Sequence, residues 1–172
     1  MFYRIIDDTK YPGRWYLDTP SIQGYEDFNF SSLLCYIPKL TDAAWYVDIF
    51  HPGEPLDFSF SGFDIPIVNR KTSKLFLSHF RDDIEIIPIR VTGWDNAAFI
   101  LIAKNIVDCI DENKSEFTRW PSSDKEPDKI GQYRTFTKLR IDPSKVNQNV
   151  HVFRLSGWEV ALICSEMVRN LL

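Results

Sequence analysis

Ile84-Glu85-Ile86-Ile87-Pro88-Ile89-Arg90-Val91-Thr92 and Ala97-Ala98-Phe99-Ile100-Leu101-Ile102-Ala103-Lys104-Asn105, joined by Gly93-Trp94-Asp95-Asn96, decide the fold class of this chain. Two apolar runs rich in Ile flank four residues containing Gly, Asp and Asn, so the stretch reads as an antiparallel hairpin with a four-residue loop. Working outward, further strands are predicted at residues 2–6, 14–17, 33–37, 44–50, 56–60, 134–141, 150–155 and 160–164. Only two helices are secure. Asn69 is placed to cap one that runs to about Phe80, with Leu75, Phe76 and His79 at spacings that share a face, and Ser165 is placed to cap a second at the end of the chain. Helices are too few to alternate with parallel strands. The expected class is α+β: a mainly antiparallel sheet with two or more helices packed on it, in a single domain over residues 1–172.

A short pattern occurs twice. Ser61-Gly62-Phe63-Asp64-Ile65-Pro66-Ile67-Val68-Asn69 resembles Ser156-Gly157-Trp158-Glu159-Val160-Ala161-Leu162-Ile163-Cys164-Ser165, and each copy leads into a helical tail, Arg70 to Phe76 and Glu166 to Leu172. Each reads as turn, apolar run, capping residue and helix, with Leu75 or Leu171 on the face that meets the sheet. Two copies are too few for a solenoid, so the pattern is either an internal duplication or convergent grammar. The two units are expected to brace a sheet between them and leave loops and acidic turns outside.

Composition excludes several functions. A net charge of −4, with twenty Lys and Arg scattered without a basic run, lacks the footprint of a phosphate-binding surface, so no direct nucleic-acid partner is expected. Seven Gly argue against a glycine-rich phosphate loop. No apolar run approaches the ~20 residues of a membrane span, and the first residues lack a signal peptide's basic start and apolar core; a soluble, cytoplasmic protein without membrane contact is the expectation. Cys35, Cys109 and Cys164 lie far apart among apolar residues and read as free buried thiols of a reducing compartment. Thirteen Phe, seven Tyr and five Trp are enough for a core with rings left over for a binding surface.

Catalytic patterns are sparse. His51, His79 and His151 are too widely spaced for a helical metal site, and the cysteines make no zinc motif. Cys109 with a distant His is conceivable as a dyad, but Asp108 and Asp111 beside it raise a thiol's pKa and suppress the thiolate. A small hydrolase using Asp108, Asp111 or Cys109 is therefore the alternative reading, and a structural or secretion-adaptor module a third.

Five motifs occur in order: Pro66-Ile67-Val68-Asn69-Arg70; Ile86-Ile87-Pro88-Ile89; Val107-Asp108-Cys109-Ile110-Asp111 with Ser115; Val152-Phe153-Arg154-Leu155; and Ile163-Cys164-Ser165-Glu166. Their order resembles the bacterial polymorphic-toxin immunity proteins of the eleventh numbered family, formerly a domain of unknown function. The resemblance spans roughly residues 56–172 and leaves residues 1–55 as a variable part. Asn69-Arg70 stands where that family's pattern has Ser-Glu, which keeps the cap but loses the acidic first turn. The resemblance implies an antidote that binds a cognate toxin domain without a cofactor. It places Asp108, Asp111, Ser115 and Arg154 at motif positions, where an Arg near two Asp residues is set to form a buried ion pair whose breaking costs about 3–5 kcal/mol. Candidate contacts with the toxin are Trp94 and Asp95 at the hairpin tip, Asp82 and Asp83, and the loop carrying Trp120, Asp124, Glu126 and Asp128. The acidic balance would suit a basic toxin such as a nuclease domain.

Overall fold

The structure is a computed structural model, and it describes residues 1–24, 44–123 and 127–172. The predicted strand at 33–37 with Cys35, and the candidates Asp124 and Glu126, lie outside the described residues. In chain order the strands are β1 (Phe2–Arg4), β2 (Tyr16–Leu17), β3 (Ser21–Ile22), β4 (Trp45–Val47), β5 (Ile49–His51), β6 (Phe58–Ser61), β7 (Ile65–Asn69), β8 (Ile84–Val91), β9 (Ala98–Ala103), β10 (Ile106–Val107), β11 (Glu116–Arg119), β12 (Tyr133–Lys138), β13 (Val152–Leu155) and β14 (Trp158–Ser165). Helix α1 (Arg70–Phe80) follows β7, and α2 (Glu166–Leu171) follows β14.

The hairpin that decides the class is the middle of the molecule. β8 and β9 pair antiparallel from Ile84↔Ala103 to Ile89↔Ala98, inside a six-stranded sheet of order β3-β4-β8-β9-β7-β6. A second sheet runs β1-β14-β13-β10, and β11–β12 and β2–β5 form two-stranded ribbons. Among the described strands pairing is antiparallel except for β4 with β8 and β10 with β13. The fold is mainly β.

The continuous apolar run of β9 has a physical reason: both of its faces are buried. Ile100 and Ile102 join Trp15, Trp45, Val47, Ile67 and Val91 in one cluster. Leu101 and Ala103 point the other way and meet Val68, the α1 residues Phe76 and Phe80, the α2 residue Val168, and Val152, Leu162 and Cys164 of the second sheet. That sheet in turn buries Phe153, Leu155, Ala161 and Ile163 against Cys109, Ile110 and the rings of Tyr133 and Phe136 on the β12 ribbon. Period-two alternation thus assigns successive residues to successive layers.

Both helices pack in the middle layer. Asn69 caps α1 as expected, its side chain accepting from the Thr72 N–H at 2.9 Å. Its core face is Phe76 and Phe80, with Leu75 half-buried and His79 exposed. The second helix departs from expectation. Val168 is its buried residue, Leu171 is exposed, and Ser165 makes no side-chain cap bond because its hydroxyl meets His151 Nδ1 at 3.0 Å.

The two copies are both hairpin-helix units, β6–β7–α1 and β13–β14–α2, but they sit in different sheets and turn differently. Gly157 takes the positive φ of the second turn (77°), whereas in the first it is Phe63 (60°) and Asp64 (54°) that enter the left-handed region. Thr19 Cα lies 3.0 Å from where a Cβ on Gly62 would sit, so this glycine serves close approach rather than the turn. The units face each other across the middle layer instead of bracing one sheet.

Candidate functional site

Arg154, expected beside Asp108 and Asp111, is paired with neither. Its side chain stands on the middle-layer face of β13, 1% exposed, among carbonyl oxygens. The register passes from Arg154↔Leu162 to Leu155↔Trp158, leaving residues 159–161 without partners on β13. Such a bulge frees carbonyls from the ladder. The guanidinium donates to Glu159 O and Val160 O, each at 3.0 Å, and across the layer to Asp64 O at 3.0 Å. Asp64 and Glu159 are the matching acid positions of the two copies, so one cation ties the turns of both units through their backbones.

Asp83 is likewise interior. It is 4% exposed; one carboxylate oxygen accepts from the backbone N–H groups of His151 (2.7 Å) and Val152 (3.2 Å), the other from Asn105 Nδ2 (2.8 Å). This corrects its candidacy as a partner contact: the carboxylate is spent on joining the start of β8 to the start of β13. Asp82 beside it is exposed. Sequence reading also missed Arg14, 3% exposed, whose guanidinium reaches Asp7 Oδ2 at 2.9 Å while Asp7 Oδ1 accepts from Phe60 N at 3.0 Å. A Cβ on Gly53 would fall 2.4 Å from the Arg14 carbonyl, so the 53–54 segment lies directly against the backbone of residues 13–14.

Asp108 and Asp111 do converge, with Glu112 and Asp142, on an open polar cleft of about 540 Å³ that Lys114 and Lys145 also line. Three of these four acids are engaged. Asp111 pairs with Lys114 at 2.8 Å, Glu112 takes Arg119 (2.6 Å) and the Tyr133 hydroxyl, and Asp142 accepts from the Ser144 hydroxyl (2.6 Å) and N–H, which hold its carboxyl below the usual range. Ser115 is a staple: its hydroxyl accepts from Arg140 N at 2.9 Å. Cys109 is closed off completely, and burial, with Asp108's charge second, pushes its thiol up to about 11. A thiol so shifted supplies almost no thiolate near neutral pH, which removes the nucleophile from the Cys109 dyad. None of the described residues forms a metal-binding group of three or more His, Cys, Asp or Glu.

The surface candidates occupy separate places. Trp94 and Asp95 lie at the turn end of β8–β9, and Asp82 precedes the opposite end of β8; eight residues at ~3.3 Å each put these ends roughly 26 Å apart. Trp94 is half-buried and set edge-on against Trp15, centroids 5.0 Å apart. Trp120 sits beyond the second sheet, its ring flanked by Arg134 (4.7 Å) and Lys129 (5.4 Å), and Asp128 is in the adjoining 3-10 turn Pro127–Lys129. Asp82 and the Trp94–Asp95 turn lie at opposite ends of the hairpin.

The described residues thus define a mainly β protein that spends buried polar groups such as Arg154 and Asp83 on internal bonds and presents open grooves at its surface. Residues 97–172, a little under half of the chain, match the family model described as Immunity protein family (Imm11), so this part is similar to an immunity protein family. The match starts at β9 rather than at residue 56. No curated protein matches the chain. Among the described residues no helix is long and apolar enough to cross a membrane.

Proposed function

We propose that this protein binds a cognate bacterial toxin domain and neutralises it by occlusion, without a catalytic step or cofactor. The observation that carries this reading is the match of residues 97–172 to an immunity protein family. Two structural features support it. Arg154 and Asp83 are committed to scaffold bonds, and the one thiol among the catalytic candidates is buried and protonated. Trp94, backed by Trp15 and followed by exposed Asp95, is the candidate contact best prepared to anchor a partner, because a pre-positioned ring loses little freedom on binding. A cytoplasmic location and a single domain, residues 1–55 carrying the variable part, complete the proposal.

The test is co-expression with the reading frame adjacent to its gene. Growth arrest by that product alone, relieved by this chain and accompanied by a co-purifying complex, is expected. A neighbour that is harmless alone, or a toxic one that this chain neither binds nor neutralises, sinks the reading.

A further inference from the structure

A pair of adjoining surface grooves, of about 630 and 640 Å³, share Arg70, Trp94, Asn96 and Ala97. The chain path produces them. β7 runs toward the turn end of β9, with Asn69 opposite Ala98, and α1 starts there and heads back toward Phe80, which adjoins the start of β8. The 92–97 turn therefore projects past the start of the helix and leaves an open hollow between them. Arg70, Lys71 and Lys74 line it from the helix and Arg90 from β8, against a single acid of the turn, Asp95.

The charges run against the molecule as a whole. In a chain of net charge −4, four cations gather around one half-buried Trp, and only Lys71 has an acidic partner among the described residues, Asp57 at 3.5 Å. Arg70 and Lys74 are four apart on one helix face, a like-charge spacing that costs an isolated helix about 0.2–0.5 kcal/mol. The corresponding helix start of the second unit carries Glu166 instead, which bonds to Tyr3 and the N-terminal amine. Nothing in the packing of α1 calls for this cluster, since its buried residues are Thr72, Ser73, Phe76 and Phe80. A cationic hollow floored by an aromatic ring complements an acidic segment, by steering at long range and by charge-assisted bonds at contact.

We infer that the groove beside Trp94 receives an acidic segment of the toxin domain, so that the face which binds has a sign opposite to the chain's net charge. This rests on the neutralisation reading above and specifies the partner's local chemistry. The test is titration of the neighbouring-frame toxin domain into the full chain, into Arg70→Glu/Lys74→Glu/Arg90→Glu, and into a control reversal on the acidic cleft, Asp108→Lys/Glu112→Lys. The groove reversal is expected to bind about 100-fold more weakly or worse, Arg90→Glu alone about 5-fold to 10-fold more weakly, and the control within about threefold of wild type. Arg90→Glu stands in if the triple variant fails to fold. Reversal variants that bind as well as wild type, or better, overturn the groove and leave neutralisation standing. A wild-type chain that does not bind the toxin overturns the neutralisation reading and the groove with it.

Discussion

Arg154 is the largest fully buried side chain among the described residues. A charge that is 1% exposed would be costly without partners, and here its N–H groups meet three carbonyls that a bulge and a left-handed turn leave outside the sheet ladders. Arg154→Met strands those carbonyls, at about 1–3 kcal/mol for each that water cannot reach, so a loss of about 3 kcal/mol or more is expected in urea denaturation. Arg154→Lys should recover little, because one ammonium cannot reproduce the planar fork. A loss below about 1 kcal/mol for the Met variant would show that the carbonyls find other donors. The buried thiols give a pH prediction. Burial raises both Cys109 and Cys164 from 9.0 in the open chain to about 11 in the fold. Above pH 9 the unfolded chain releases these protons first, so their contribution is complete below about pH 9 and is lost as pH rises to about 11. Denaturation midpoints should fall across that window, and the Cys109→Ala/Cys164→Ala variant should show a shallower fall. In a Cys35→Ser background no thiol should react rapidly with a disulfide reagent at pH 8 until denaturant is added.

At the scale of elements, the two hairpin-helix units show how one sequence grammar takes two geometries. The second turn assigns its positive φ to Gly157; the first puts Phe63, 59% exposed, at φ 60° and Asp64 at φ 54°. A left-handed conformation costs a residue with a Cβ roughly 1–2 kcal/mol, and Asn tolerates it better than Phe. Phe63→Asn is therefore expected to raise stability by about 0.5–1 kcal/mol, measured by the same denaturation, with toxin binding unchanged if the Trp94 groove is the contact. A destabilised variant would mean that the exposed ring packs in a way its exposure conceals. The turn was readable as a turn from Ser61-Gly62-Phe63-Asp64, but the residue bearing the strain was not. That depended on Thr19 crowding Gly62 and on Arg154 holding the Asp64 carbonyl from another sheet.

For the whole molecule, the layered packing sets how much chain is needed to fold. The family match begins at residue 97, yet β9 lies between β8 and β7, both of which precede it. Residues 1–55 supply β1 to the edge of the second sheet and β4 to the side of β8, with Trp15, Leu17, Ile22, Trp45 and Val47 filling the first cluster. A fragment of residues 97–172 is expected to lack cooperative unfolding, and a fragment of 56–172 to be soluble only with exposed apolar surface that binds a hydrophobic dye. A sharp thermal transition in the 97–172 fragment would contradict the layered account.

What the sequence determined alone was local or periodic: the β8–β9 hairpin, the Asn69 cap, the mainly antiparallel class and the resemblance carried by five ordered motifs. The first three rest on neighbours within a few residues, where propensity, turn chemistry and alternation act, and the resemblance rests on the order of short motifs along the chain. The tertiary structure decided what depends on distant chain meeting: that Asp83 is interior, that Arg154 binds carbonyls rather than Asp108, that Ser165 faces His151 instead of capping its helix, and that Trp94 lies among cations. A charged residue reads the same in sequence whether water or three carbonyls surround it. Only the packing of one sheet on another removes the water and selects its partners.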